Sequence, residues 1–175
     1  MKHKNLALCA VTAALLCAFA PLSLPLGAIP VSLATMILYV IAGCVEPKVS
    51  LTATAVYILL GCAGLPVFSG FAGGIQTVTG LTGGFILGYL PCTVAVGLLT
   101  NKFKNVKAVY PLSMILGTVL CYLCGTLRYM MQTSTSFVSA LTVCVLPFLI
   151  ADAVKISVAS TVCITARKSL KKILN

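Results

Sequence analysis

The chain has 175 residues, of which 60% are hydrophobic and 8% are charged, and its mean hydropathy is +1.13. Soluble domains carry roughly 25% charged residues, so the composition indicates an integral membrane protein in a lipid bilayer, with no length left for a soluble catalytic domain. The net charge of +10 does not indicate a nucleic-acid partner, because the basic residues cluster at the ends of apolar segments.

The first apolar segment, residues 5–20, follows a basic start and resembles a signal peptide. We expect it to be retained as a first transmembrane helix, because the remaining segments then make up an even number of spans. Ala10, Ala14 and Ala18 form one stripe along this helix, and small residues at this spacing let helices approach closely in lipid. The stripe serves either packing within this chain or docking to another membrane protein, and the spacing leaves both open.

The hydrophobic segments predict an all-α polytopic membrane protein with six transmembrane helices, which form a single domain over residues 1–175. A helix needs about 20 apolar residues to cross a bilayer. The apolar stretch 137–166 is too long for one upright helix, and Pro147 within it disrupts helical hydrogen bonding. We therefore divide it into a short interfacial helix over 136–145 and a sixth span. The predicted spans are 5–20, 31–45, 49–65, 83–100, 108–127 and 148–167.

The basic residues predict that both termini are cytoplasmic. With six spans, the termini share one side of the membrane with the second and fourth connections, and this side holds most of the twelve cations. Arg128 falls on the opposite side, and Lys155 lies within the sixth span. The positive-inside rule assigns the basic side to the cytoplasm. Its basic residues are Lys2, Lys4, Lys48, Lys102, Lys104, Lys107, Arg167, Lys168, Lys171 and Lys172.

The connection between the third and fourth spans, Pro66 to Phe85, is uncharged and rich in glycine. Glycine permits close approach of a ligand or another helix, and irregular backbone at membrane depth survives only where it is buried or lines a cavity. We therefore expect a lid folded onto the helices rather than a floppy external loop. The segment is not a phosphate-binding P-loop, because the chain contains no Gly-Lys dipeptide. Its apolar side chains expected to be buried are Phe68, Phe71, Ile75, Val78 and Leu81.

Asp152 and Lys155 are the opposite charges predicted to be buried together, in the otherwise apolar stretch 146–164. The other acidic residue, Glu46, stands in a predicted loop. An ionisable group at membrane depth costs about 2.5–3.5 kcal/mol and usually faces a cavity or a pathway. At a spacing of three residues the two side chains share one helix face. The pair either binds a ligand near the external end of the sixth span or only holds helices together.

The sequence offers no catalytic constellation, cofactor motif or metal site. Its single histidine, His3, lies in the basic N-terminal tail, and the two carboxylates are far apart in the chain, so no acid–base pair is expected. The nine cysteines are scattered along apolar segments, which argues against a disulfide framework. Cys121 and Cys124 form a Cys-x-x-Cys without further ligands for zinc. We therefore expect a protein that is not an enzyme and binds no metal.

Three ordered motifs give the chain a resemblance to a known family. Residues 29–35, IPVSLAT, and 42–48, AGCVEPK, match Pro-x-x-Leu-x-Thr followed by Ala-Gly-x-x-x-Pro-Lys/Arg. Residues 64–90 follow the signature GLPVF-x-G-x-x-GG and G-x-TGG-aromatic, and residues 145–156, VLPFLIADAVKI, follow PFL-x-x-D-x-x-K. On these motifs the chain resembles the BioY family, the biotin-specific substrate-binding (S) components of energy-coupling-factor (ECF) transporters.

The resemblance implies a six-helix protein of the cell membrane that binds biotin in an outward-facing pocket, through the aspartate and lysine of the third motif. It implies that the glycine-rich connection closes over the bicyclic ring. Arg128 is a departure from the family pattern, and we expect it to take a cationic role at the mouth of the pocket. It also implies docking of a transmembrane coupling protein to the alanine stripe, and two cytoplasmic ATPases that bind the ATP. The candidate substrate-binding residues are Asp152, Lys155, Phe68, Gly73, Gly74, Gln76, Thr82, Gly83, Gly84, Phe85 and Arg128.

The chain departs from the family pattern at four positions. Members often carry glutamine at the position of Ala34 and an aromatic residue near Arg128, and some carry asparagine or arginine at the positions of Ala72 and Ile86. These departures leave a second hypothesis, an S component for a different vitamin. A third hypothesis is a structural membrane protein in which the buried pair only joins helices. A membrane enzyme is disfavoured by the missing catalytic groups.

Overall fold

The computed structural model describes residues 2–24, 29–104 and 106–174, with side chains for residues 3–24, 29–104 and 106–166. These ranges are mostly helical. Two strands of two residues each are β1 (Ser23–Leu24) and β2 (Val31–Ser32), and 3₁₀ turns cover Ser69–Phe71 and Leu146–Phe148. The α-helices are α1 (Lys2–Phe19), α2 (Ala34–Cys44), α3 (Pro47–Cys62), α4 (Ile75–Thr79), α5 (Gly83–Lys102), α6 (Val109–Thr133), α7 (Phe137–Cys144) and α8 (Leu149–Leu174).

Prolines mark where two of the helices begin. Pro47 stands at the first turn of α3, a position where its missing N–H is not needed. Pro147 lies in the 3₁₀ turn between α7 and α8, so the long apolar stretch is broken as predicted. The predicted interfacial helix 136–145 corresponds to α7, and Asp152 lies in the first turn of α8.

The second predicted span, 31–45, is wrong at its beginning. Val31 and Ser32 pair with β1 in a small antiparallel sheet instead of joining the helix. The Ser32 hydroxyl donates to the Ala20 carbonyl and accepts the Ala34 N–H, both at 2.9 Å, so it fixes the extended backbone ahead of α2. The helix is therefore only 11 residues long. This length corresponds to about 16 Å, which is shorter than the hydrocarbon core of about 30 Å.

Three parts of the described chain are long and apolar enough to cross a bilayer by length and composition. They are α5, α6 and the stretch Phe137–Ala166. The helices α1, α2 and α3 are apolar but shorter. This abundance of apolar helices agrees with the membrane protein that the composition indicates, while the count of six spans remains a prediction.

The helices α5 and α6 form the most extensive helix pair of the bundle, because glycines bring their backbones close together. A Cβ atom at Gly88 would lie 3.1 Å from the Cα atom of Cys121, and one at Gly117 would lie 2.8 Å from Cys92 Sγ. Small residues at a helix interface permit such close approach in lipid. The short α2 packs against α8 and α5, and its Tyr39 is completely buried.

The connection between α3 and α5 folds onto the bundle as predicted, although not through every apolar side chain expected to be buried. Phe68 is buried, and Val78 packs against the core. The expectation is wrong for Phe71, Ile75 and Leu81, which are 65%, 67% and 36% exposed. An apolar surface side chain of a membrane protein can face lipid tails that are as apolar as leucine, so apolar character did not require burial here.

Candidate functional site

The described helices enclose a cavity of about 180 Å³ between α2, α3, α5, α6 and α8, and the connection before α5 forms part of its wall. Ligand pockets combine mostly apolar walls with a few placed polar groups, and this wall has that character. Its aromatic residues are Tyr39, Tyr57, Phe68, Phe85, Tyr89, Tyr122 and Phe148. Its other polar residues are Ser32, Thr35, Ser69, Thr77, Thr82, Thr118, Asp152 and Lys155.

The buried ion pair lies in this wall and is held from three helices. Lys155 Nζ on α8 donates to Asp152 Oδ1 at 2.9 Å, and the two residues are 7% and 5% exposed. The hydroxyl of Tyr122 on α6 donates to Asp152 Oδ2 at 2.6 Å. Lys155 Nζ also donates to Thr35 Oγ1 on α2 at 3.3 Å. The pair therefore ties α8 to α6 and α2 while it lines the cavity.

These contacts leave part of the hydrogen-bonding capacity of the pair unused. An ionised carboxylate offers about four acceptor sites, and an ammonium group offers three donors. Within the described part of the chain, Asp152 accepts two hydrogen bonds and Lys155 donates two. About two acceptor sites and one donor are therefore available to a guest in the cavity.

Aromatic rings form much of the remaining wall. The ring of Phe68 meets that of Tyr57 edge-on, with centroids 5.6 Å apart, and Tyr89 lies 6.5 Å from Tyr57 in a tilted arrangement. Phe85 and Phe148 form another tilted pair at 6.2 Å. Rings at such distances support one another and present broad apolar faces. The cavity therefore suits a small ring system with a polar edge.

The structure brings five of the eleven candidate substrate-binding residues to the cavity. Asp152 and Lys155 supply the charges, and Phe68, Thr82 and Phe85 supply part of the lid-side wall. The other six lie outside the cavity wall. They are Gly73, Gly74, Gln76, Gly83, Gly84 and Arg128.

The glycines outside the wall shape the backbone of the connection instead. A Cβ atom at Gly73, Gly83 or Gly84 would collide with a neighbouring carbonyl oxygen. Gly74 has a φ of 88° at the N-cap of α4, in the region that glycine adopts readily. Gln76 is exposed, and its side-chain amide donates to the Gly73 carbonyl at 2.8 Å. Gly73, Gly74, Gln76 and Gly83 fold the lid rather than line the cavity, whereas Gly84 lets α5 pack closely against α6.

Arg128 lies beside the lid and holds it to α6. Its Nη2 atom and the side-chain amide of Gln132 both donate to the main-chain carbonyl of Thr79, the last residue of α4. The C-terminus of α4 is thus attached to α6 by two side chains of that helix.

Sequence reasoning missed the hydroxyl groups that surround the ion pair. Tyr122 and Thr35 contact the pair directly, and Tyr39 shares a hydrogen bond of 2.6 Å with Thr118. Tyrosines and threonines are common in membrane helices, so residue type alone did not single them out. Spacing was the available signal, because Thr35 and Tyr39, like Thr118 and Tyr122, are four residues apart and share a helix face.

The alanine stripe of α1 faces outward. Ala10, Ala14 and Ala18 are exposed, whereas Ala13 and Leu16 on the other face are buried. Packing within the described chain therefore does not account for the stripe. Its role in docking remains a prediction.

A bundle of apolar helices around a small cavity with a buried ion pair in its wall defines a membrane protein that binds a small solute. A sequence model of the BioY family matches residues 1–172. The chain therefore belongs to the BioY family, which confirms the resemblance and the prediction that it is not an enzyme. Among the described residues, no cluster of histidine, cysteine and acidic side chains could hold a metal ion.

Relatives and a solved structure agree with this membership. The chain is 33% identical over 156 residues to the biotin transporter BioY2 of Lactococcus lactis subsp. cremoris, covering 88% of this chain and 85% of that protein. It is 33% identical over 149 residues to the biotin transporter BioY of Thermotoga maritima, covering 84% and 86%. A crystal structure of the S-component for biotin from an ECF-type ABC transporter has the same fold, with a TM-score of 0.86, 23% identity and coverage of 97% and 92%.

Proposed function

We propose that the chain is the membrane-embedded S component of an ECF-type transporter and that its cavity binds biotin for uptake. The observation that carries this proposal is the buried pair of Asp152 and Lys155 in the cavity wall, held in place by Tyr122 and Thr35. Relatives named as biotin transporters support the same substrate.

The unused hydrogen-bonding capacity of the pair suits the ureido group of biotin. That group has two N–H donors and one carbonyl acceptor, which match about two free acceptor sites on Asp152 and one free donor on Lys155. In the proposed complex the N–H groups donate to the carboxylate, and the ureido oxygen accepts from the ammonium group. The bicyclic ring packs against aromatic rings of the wall such as Tyr57 and Phe68, which removes its apolar surface from water.

In the proposed arrangement the chain crosses the cell membrane six times as one domain, with both termini in the cytoplasm. The basic residues at the termini and in the loops support this orientation. A transmembrane coupling protein and two ATPase subunits complete the transporter. The exposed stripe of Ala10, Ala14 and Ala18 on α1 is the proposed docking surface for the coupling protein.

Calorimetric titration of the purified full chain with biotin tests the proposed function. We expect saturable binding by the wild type and a loss of affinity of about 30-fold or more for Asp152→Asn, because truncating a buried charged pair costs at least about 2 kcal/mol. The matched control is Glu46→Gln, which neutralises the other carboxylate of the chain at an exposed position. That variant should bind biotin like the wild type.

Thermal unfolding with and without ligand distinguishes the remaining hypotheses. A biotin-dependent rise in melting temperature that Asp152→Asn abolishes would support the binding role. Tight binding of another vitamin without biotin binding would reassign the substrate. If no vitamin raised the melting temperature and Asp152→Asn only lowered it, the pair would be structural.

A further inference from the structure

The cavity carries no uncommitted charge. Among the residues whose side chains are described, Asp152 and Lys155 are the charged members of its wall, and they neutralise each other at 2.9 Å. A neighbouring apolar groove between the strands, α2 and α8 also has Lys155 as its charged residue within the described chain. A guest therefore meets one neutral ion pair rather than a spare cation.

Apart from Lys155, the cations whose side chains are described lie outside the cavity wall. Arg128 is absent from the wall and donates to the Thr79 carbonyl. Residues 25–28 are Pro, Leu, Gly and Ala and contribute no ionisable side chain. The first basic residue after Lys155 on α8 is Arg167, twelve positions further, which corresponds to about 18 Å along the helix. Among the side chains that the structure describes, none other than Lys155, which is paired with Asp152, places a cation in the cavity wall to neutralise a carboxylate tail.

An uncharged donor is available in the same wall. Ser69 Oγ is buried, and no hydrogen-bond partner for it exists among the described residues. A buried hydroxyl without a partner is unfavourable, so a guest that accepts a hydrogen bond there gains affinity. A hydroxyl can donate to the carbonyl oxygen of an acid, an amide or an ester, and it does not select among them by charge.

An isolated carboxylate buried without a cation is strongly disfavoured. A negative charge on the tail of the guest therefore does not increase its affinity for this cavity. Building on the proposed function, we infer that this cavity recognises the ring system of biotin and a carbonyl oxygen of its tail, and that it does not require a charge on that tail. Amide and methyl ester derivatives of biotin are therefore ligands of this protein as well.

Calorimetric titrations of the wild-type full chain with biotin, biotinamide and biotin methyl ester test this inference. We expect the dissociation constants of the two neutral derivatives to lie within about tenfold of that of biotin. If the charge of the tail were recognised, the derivatives would lose a hydrogen bond to a charged group, and their affinity would fall by at least about that factor. A larger loss for both derivatives would overturn the inference while leaving biotin binding, and thus the proposed function, intact. Failure of all three to bind would instead refute the proposed function.

The variant Ser69→Ala tests the uncharged donor, with Ser157→Ala at an exposed position of α8 as its control. We expect Ser69→Ala to weaken biotin and biotinamide by the same factor, about three- to tenfold, and Ser157→Ala to change neither. A loss confined to biotin would assign the hydroxyl to a charged tail and overturn the inference. Unchanged affinity for both ligands would exclude Ser69 as the donor.

Discussion

Tyr122 and Thr35 hold the ion pair in place in the cavity wall. Tyr122 donates to one carboxylate oxygen of Asp152, while Lys155 donates to the other and also to Thr35. Because each carboxylate oxygen is held from a different helix, rotation of the carboxylate would break one of these hydrogen bonds. Preorganised polar groups bind without the cost of being ordered at the moment of binding. The tyrosine should therefore contribute to affinity although it carries no charge.

Replacing Tyr122 by phenylalanine removes the hydroxyl and keeps the ring. We expect Tyr122→Phe to weaken biotin binding about tenfold, because a hydrogen bond to a charged group contributes about 1.5–3 kcal/mol and a cavity water can replace part of it. The measurement is calorimetric titration of the purified variant. Tyr129→Phe on the same helix is the control, since its ring lies outside the cavity wall. An unaltered dissociation constant for Tyr122→Phe would show that the carboxylate is positioned by Lys155 alone.

The residues of the site differed in how far the sequence could predict them. Asp152 and Lys155 were predictable, because placing an ionisable group in an apolar stretch costs free energy and such groups usually face a cavity or a pathway. Phe68 was predictable from its place in the glycine-rich motif, whereas apolar character alone also pointed to Phe71, which is exposed. Tyr57 and Tyr89 were not, because they come together only through the packing of α3 against α5. Such contacts between distant residues depend on tertiary structure.

Glycines at the α5–α6 interface set the distance between these helices. A Cβ atom at Gly84 would collide with the Cys124 carbonyl of α6, and it would lie 3.0 Å from the Cα atom of Gly125. Both obstacles are backbone, so they cannot move aside as a flexible side chain would. A Cβ atom at Gly97, further along α5, would meet Pro47 at an ordinary 3.4 Å. The two glycines of one helix should therefore respond differently to the same substitution.

We expect Gly84→Ala to destabilise the protein by about 1–3 kcal/mol, the usual cost of overpacking, because α5 and α6 must separate to accept the methyl group. Gly97→Ala should be neutral or slightly stabilising, since the site has room and alanine favours a helix. Thermal unfolding of both variants in the same detergent measures the difference. Equal melting temperatures for Gly84→Ala and Gly97→Ala would contradict the close packing of the two helices.

Long helices and the short α7 were predictable from the sequence, whereas the small sheet and the start of α2 were not. The predicted spans 83–100 and 108–127 correspond to α5 and α6, because a sustained apolar run has few alternatives to a helix in lipid. The start of α2 was not predictable from apolar character, since Val31 suits a strand as well as a helix. The hydrogen bonds of the Ser32 side chain to Ala20 and Ala34 stabilise the extended conformation and so favour the strand. Hydropathy carries no information about such contacts.

At the scale of the whole molecule, the two faces of α1 have different environments. One face packs against α3, and the other exposes small alanine side chains among larger apolar residues such as Val11 and Leu15. Small residues exposed along a helix provide a shallow groove into which another helix can pack closely. The cavity lies on the inner side of the bundle. Docking at α1 and binding in the cavity should therefore be separable by mutation.

The variant Ala14→Leu fills the groove at the centre of the stripe and should separate these two activities. We expect biotin binding by the purified chain to remain unchanged, because Ala14 is exposed and outside the cavity wall. Biotin uptake by cells that supply the coupling protein and ATPases should fall about fivefold or more, since overpacking an interface costs at least about 1 kcal/mol. The matched control is Ala153→Leu, which adds the same side chain at an exposed alanine of α8. Normal uptake by Ala14→Leu, or an equal loss in both variants, would show that the alanine stripe is not the docking surface.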